Sequence, residues 1–136
     1  MRYSGEHIDD AVFLLKELVK IPSYTFQEEA IADFLEKYLT EAEEKYACNY
    51  KIRRIKNNLL LYGDDYSQKK ETLLFCAHID TVKESGEYTF APFCGTVANG
   101  RVLGLGSNDD KGSVTAAIFA FLYYMRYCNK KNINVI

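Results

Sequence analysis

Residues 72–77, Thr-Leu-Leu-Phe-Cys-Ala, form an apolar run without polar alternation. A strand of this kind predicts burial on both faces, which requires other elements packed above and below it. Candidates lie on either side in the chain. Ile8, Ala11, Val12, Leu15, Leu18 and Val19 recur at helical spacing, with Asp9 and Asp10 near the start, where acids suit a helix N-terminus. Pro22 stops that helix, because the residue before a proline is biased out of the helical region. A second helix is predicted over 27–45, with an apolar stripe of Ala30, Ile31, Phe34, Leu35, Tyr38 and Leu39. Thr25 and Glu28 have the spacing of a capping box for it. A third, strongly apolar helix is predicted over 111–127 and ends at residues 129–132. Its Phe119, Phe121, Tyr123, Tyr124 and Tyr127 read as packing residues, not as a binding box.

Between the helices, 50–55 reads as an edge strand with imperfect alternation, and Asn57-Asn58 as a turn into a strand over 59–62. Residues 64–70 form a polar loop. Residues 96–103 read as a hairpin turning at Asn99-Gly100, and 133–136 begin another strand. Helices alternating with buried strands predict an α/β/α arrangement around a mixed, mostly parallel sheet. A length of 136 residues suits one domain, and no internal repeat or linker interrupts it.

The net charge is −2, and Lys and Arg are spread along the chain. Nucleic acid is therefore not an expected partner, since phosphate neutralisation needs clustered positive charge. The polar start has no apolar segment of a secretory signal, and no run approaches membrane-spanning length. Cys48, Cys76, Cys94 and Cys128 show no CxxC spacing and read as reduced thiols of a cytoplasmic protein.

Chemistry-bearing residues follow the apolar run. His78-Ile79-Asp80 puts an imidazole and a carboxylate on one face if the strand continues. In open α/β sheets, sites form beyond the carboxyl ends of strands. A neutral imidazole is a common zinc ligand, and a nearby carboxylate can hold its tautomer. The tripeptide alone is weak evidence, because His7-Ile8-Asp9 repeats it at the first helix, where a solvated histidine and a helix-start acid explain it. Cys76 shares a strand face with His78 and is a candidate third ligand, although a small buried thiol is the plainer reading. Gly104-Leu105-Gly106-Ser107-Asn108-Asp109-Asp110-Lys111-Gly112 is a glycine-rich loop entering a helix. The dinucleotide fingerprint fails because Asp109 stands at its third glycine, and the P-loop fails because the order is Lys-Gly-Ser. Adjacent aspartates suit a divalent cation.

Four segments carry a family resemblance: 14–23 (LLKELVKIPS), 73–82 (LLFCAHIDTV), 90–95 (FAPFCG) and 99–112 (NGRVLGLGSNDDKG). Through them the chain resembles the zinc metallopeptidase and deacylase family of acetylornithine deacetylase, succinyl-diaminopimelate desuccinylase, aminoacylase and carnosinase-type dipeptidases, over essentially its whole length. The resemblance implies that His78 binds one zinc, that Asp109 bridges two, and that Asp80 acts from behind His78 as the orienting catalytic carboxylate. It implies a cis peptide between Asp109 and Asp110. Cobalt(II) is the alternative metal. Leu105, where many members carry Arg, resembles the acetylornithine and acetylcitrulline deacetylase branch and points to an N-acyl amino acid and arginine biosynthesis.

The family's Glu-Glu pair, which supplies a further ligand and the general base, follows a strand that begins here near Asn132. The chain stops at Ile136. The expectation is therefore the N-terminal part of one metallohydrolase catalytic domain, truncated before that pair and without the lid domain. Such a chain is expected to be inactive alone, to bind zinc weakly and to expose apolar surface or an unpaired sheet edge. Its expected partners are an N-acyl amino acid or dipeptide substrate, with a second copy or a companion C-terminal chain left open. Two other functions remain open: a non-catalytic interaction domain that keeps the fold, and a zinc-dependent regulatory fragment.

Overall fold

The computed structural model describes residues 5–128 and 133–136. Three helices and six strands alternate along them: α1 (Gly5–Lys20), α2 (Glu29–Lys45), β1 (Tyr50–Ile55), β2 (Asn58–Gly63), β3 (Glu71–Leu73), β4 (Thr96–Ala98), β5 (Arg101–Leu103), α3 (Lys111–Tyr127) and β6 (Ile133–Val135). The chain is α/β, with mixed strand pairing. β1 and β2 form an antiparallel ribbon, β4 and β5 a second, and β3 pairs with β6 in parallel. The ends expected at residues 129–132 lie outside the described residues.

Apolar periodicity places the helices, but not every residue of their stripes: Ile8 and Ala30 are exposed, and Leu14, outside the expected α1 stripe, is buried. Leu14, Leu18 and Val19 of α1 are fully buried, as are Ile31 and Ala32 of α2. Leu14, Leu18 and Ile31 share one core with Leu35, Leu39, Val114, Ile118, Phe119, Phe121, Leu122 and Met125. α1 lies against α3, and α2 lies against the β1–β2 ribbon. Aromatic edges close the seams, with Tyr46 against Phe119 and Tyr50 against Phe121. The Tyr50 hydroxyl donates to the Leu39 carbonyl at 2.5 Å, which satisfies a buried phenol. Phe119 and Phe121 pack as expected, whereas Tyr127 is 46% exposed.

The β4–β5 hairpin turns at Asn99 and Gly100, whose φ values of 51° and 72° are both positive. A two-residue turn of that hand favours Asn-Gly, and the reading from sequence holds. The turn between β1 and β2 falls one residue earlier than expected, at Lys56 and Asn57, because Asn58 already pairs with Ile55.

Two local expectations are corrected. No side chain caps α2; Glu28 instead accepts the Phe26 N–H, and the Thr25 hydroxyl donates to Asp80. Residues 72–77 are not buried on both faces. Regular pairing ends at Leu73, and Leu73, Leu74 and Phe75 are exposed. β6 covers one edge of this segment, with the Phe75 N–H donating to Ile136 O at 2.8 Å, but no element covers both faces among the described residues. Cys76 is accordingly exposed and not a buried filler. The expected exposed apolar surface is present here.

Candidate metal centre

The extended chain after β3 is held by a segment from the far side of the sequence. Ser23 Oγ donates to Ile79 O at 2.8 Å, and the Thr81 N–H donates to Ser23 O at 2.7 Å. The Thr25 N–H donates to Thr81 O at 3.3 Å, and Tyr24 and Thr81 form a parallel bridge. Pro22 has ended α1, so residues 23–25 are free to pair in this way.

The glycine-rich loop closes the other side. Gly106 has φ of 77°, and a Cβ there would lie 2.5 Å from Thr81 Cγ2. Only glycine permits both the backbone hand and the approach. The Asp109–Asp110 peptide is cis. Lys111 then opens α3, its side chain fully buried and donating to Leu18 O at 2.9 Å and Ile21 O at 3.0 Å. A cation suits carbonyls at the end of a helix. Burial nonetheless pushes the Lys111 pKa down to about 8.

These supports bring His78, Asp80 and Asp109 together. His78 Nε2 lies 3.0 Å from Asp109 Oδ1, and Nδ1 lies 3.1 Å from Asp80 Oδ1. The His78 backbone N–H donates to Asp110 Oδ2 at 3.3 Å, and Thr25 Oγ1 donates to Asp80 Oδ2 at 2.7 Å. Burial works against the charged imidazole, but the Asp109 hydrogen bond and the Asp80 contacts outweigh it and hold its pKa above the ordinary value. The Thr25 hydroxyl, aided by His78 and opposed by burial, holds the Asp80 carboxyl below its usual range. The side chains of His78 and Asp109 are 51% and 86% exposed, so a solute can reach both.

Two zinc ligands at tetrahedral angles stand about 3.3 Å apart at ordinary Zn–N and Zn–O bond lengths. The 3.0 Å from His78 Nε2 to Asp109 Oδ1 is close to such an edge, and the donor types suit zinc. No group of three or more metal-binding side chains gathers among the described residues, so they offer an edge and not a full ligand shell. Cys76 does not complete it. His7 lies instead against the Tyr46 ring, 5.5 Å between centroids, remote in role from this loop.

Sequence reasoning missed three supports: Thr25, Ser23 and the Asp110 carboxylate. Thr25 was hidden by a local pattern that explained it differently. Ser23 lay inside the quoted segment 14–23 without a role of its own.

Comparison with known proteins bears on the family and the fold. Residues 74–136 match the model of Peptidase family M20/M25/M40. The chain is 32% identical over 133 residues to a succinyl-diaminopimelate desuccinylase of Blochmanniella floridana, covering 92% of this chain and 33% of the relative. It is 29% identical over 130 residues to the enzyme of that name from Helicobacter hepaticus, covering 90% of this chain and 33% of the relative. The chain thus spans about a third of the length of these curated relatives. Among solved structures, an M20 family metallo-carboxypeptidase from Sulfolobus solfataricus superposes with a TM-score of 0.65 at 30% identity, over 93% of this chain and 29% of that one. Human carnosine dipeptidase 1 shares the fold, with a TM-score of 0.63 at 20% identity over 96% of this chain and 31% of that one.

Proposed function

We propose, on the premise that this chain belongs to peptidase family M20/M25/M40, that it supplies the first part of the metal centre of an amide-cleaving hydrolase. The observation that carries the reading is the His78–Asp109 edge with Asp80 behind it. His78 would offer its Nε2 lone pair, and Asp109 its carboxylate, to a divalent cation such as zinc or cobalt. Asp80 would keep the ring proton at Nδ1, so that Nε2 stays free to ligate. Bound there, the cation would acidify a water and polarise an amide carbonyl. The remaining ligands and the general base come, in this reading, from outside residues 1–136. Glu28-Glu29 and Glu43-Glu44 belong to α2 and its cap, and Glu28 accepts from the Phe26 N–H and the Asn57 amide.

The substrate class is an N-acyl amino acid or short peptide. Leu105 favours an acetylornithine deacetylase-like substrate, whereas the relatives' names favour succinyl-diaminopimelate. Zinc titration of the chain and of His78→Ala and Asp109→Ala tests the centre. Weak binding that both substitutions abolish is expected; equal binding by all three forms would refute it. The 136-residue chain with zinc is expected to release no amine from N-acetylornithine or N-succinyl-diaminopimelate, and release from either would show that it is catalytically complete.

A further inference from the structure

The two oxygens of Asp80 face different partners. Oδ1 faces the His78 ring at 3.1 Å, and Oδ2 accepts from the Thr25 hydroxyl at 2.7 Å. His78 itself lies between two carboxylates, Asp80 at Nδ1 and Asp109 at Nε2. A neutral imidazole has one proton to give, so either carboxylate could take it. Only the form with the proton on Nδ1 leaves Nε2 able to bind a cation. On the Nδ1 side the Asp80 carbonyl oxygen also lies within reach, at 3.2 Å, so the carboxylate shares that proton, and its aim sets how strongly the Nδ1–H form is favoured.

We infer that Thr25 is a positioning residue of the metal centre, acting through Asp80 to select the His78 tautomer that leaves Nε2 free; the inference rests on the metal-binding reading of this site. Thr25 is well placed for this. Its own N–H donates to Thr81 O, and its neighbour Tyr24 bridges Thr81, so its backbone is clamped one residue beyond Asp80. Its hydroxyl thus reaches Asp80 from a fixed frame, and the carboxylate cannot turn about its last torsion without losing that bond. The Ser23 bonds to Ile79 and Thr81 fix the same register from the other end. In contrast, the Asp109 side chain is 86% exposed.

The test compares Thr25→Val and Thr25→Ser with the wild-type 136-residue chain. Two readouts are taken: zinc affinity, and the nitrogen-15 shifts of the His78 ring in zinc-free protein with the ring neutral. Thr25→Val should weaken zinc binding about tenfold, the scale of lost outer-shell orientation, and move the ring toward the Nε2–H tautomer. Thr25→Ser, which keeps the hydroxyl, should restore both. If wild type binds zinc and Thr25→Val binds it equally well, the inference fails while the metal centre stands. If wild type binds no zinc but the tautomer shifts in Thr25→Val and returns in Thr25→Ser, the metal centre fails while the positioning role stands. An unchanged tautomer in a folded Thr25→Val protein, or failure of Thr25→Ser to restore it, overturns the inference. Should Thr25→Val not fold, the Thr25→Ser and Thr25→Ala pair decides in the same way.

Discussion

The Lys111 ammonium lies 2.9 Å from the Leu18 carbonyl oxygen, inside the protein, and so ties the first residue of α3 to the last turn of α1. Asp109 stands two residues before Lys111. The loop that carries the candidate metal ligand is thus anchored by a buried cation on helix carbonyls.

That anchor has a pH signature. The Lys111 pKa falls to about 8 in the folded protein, whereas an unfolded lysine titrates near 10.4. Between those values the unfolded chain binds more protons, so this residue's contribution to stability rises with pH. The neutral amine keeps two N–H groups, enough for Leu18 O and Ile21 O. Lys111→Met removes the titration. The stability of wild type relative to Lys111→Met, measured by denaturant at pH 7.5 to 10 (roughly the window between the two pKa values), should rise with pH; a flat or falling difference would contradict the buried-amine assignment.

The reverse sign applies to His78. Its folded pKa lies above the ordinary value, with Asp109 and Asp80 outweighing the effect of burial. The stabilisation it gives is complete below the unfolded value of about 6.5 and is lost as pH rises through the folded value. Asp109→Ala should lower the His78 titration midpoint, followed by proton NMR in zinc-free protein. It should also remove part of the excess stability on the acid side. The ring is half exposed, so the change in stability stays below about 1 kcal/mol.

Gly106 has no room for a methyl group. Gly106→Ala would set a Cβ 2.5 Å from Thr81 Cγ2 at a φ of 77°. The backbone hand alone costs about 1–2 kcal/mol, and the contact adds to it. Equilibrium urea unfolding should show a loss of at least about 1–2 kcal/mol, together with weaker zinc binding, because Thr81 belongs to the frame that holds Asp80. Gly86, with nothing within 4 Å of a built Cβ, provides the control for positive φ without a clash.

The chemical loop was readable because its residue types are unusual together: glycines, paired aspartates and a histidine at a strand end. The Asn99-Gly100 turn was readable because few residue pairs accept two positive φ values. Thr25 was not. Its spacing from Glu28 satisfies a local rule, and its actual partner lies 55 positions away. Residues 72–77 were misjudged for a related reason. An apolar run reports what a strand can bury, and only the packed neighbours decide what it does bury.

Those neighbours make a further expectation concrete. Leu74 is 63% exposed and Val82 70%. Leu73 and Phe75 beside Leu74 are exposed as well, and exposed apolar surface of this sort promotes association. Leu74→Lys should reduce light scattering and dye binding at high concentration, and it should change stability by no more than about 0.5 kcal/mol, as surface substitutions do. Unaltered scattering would place the association elsewhere.

The bond from Thr25 to Asp80 and the contact of His78 with Asp109 span 55 and 31 positions of the chain. Closing long loops costs entropy before any contact rewards it, and distant pairings form more slowly than helices do. A cation added to the unfolded chain meets His78 and Asp109 as two unrelated points on a string. If His78 and Asp109 hold a cation as proposed, the chain would assemble first and the cation enter second, and whatever slows the meeting of residues 23–25 with 79–81 would also delay its entry.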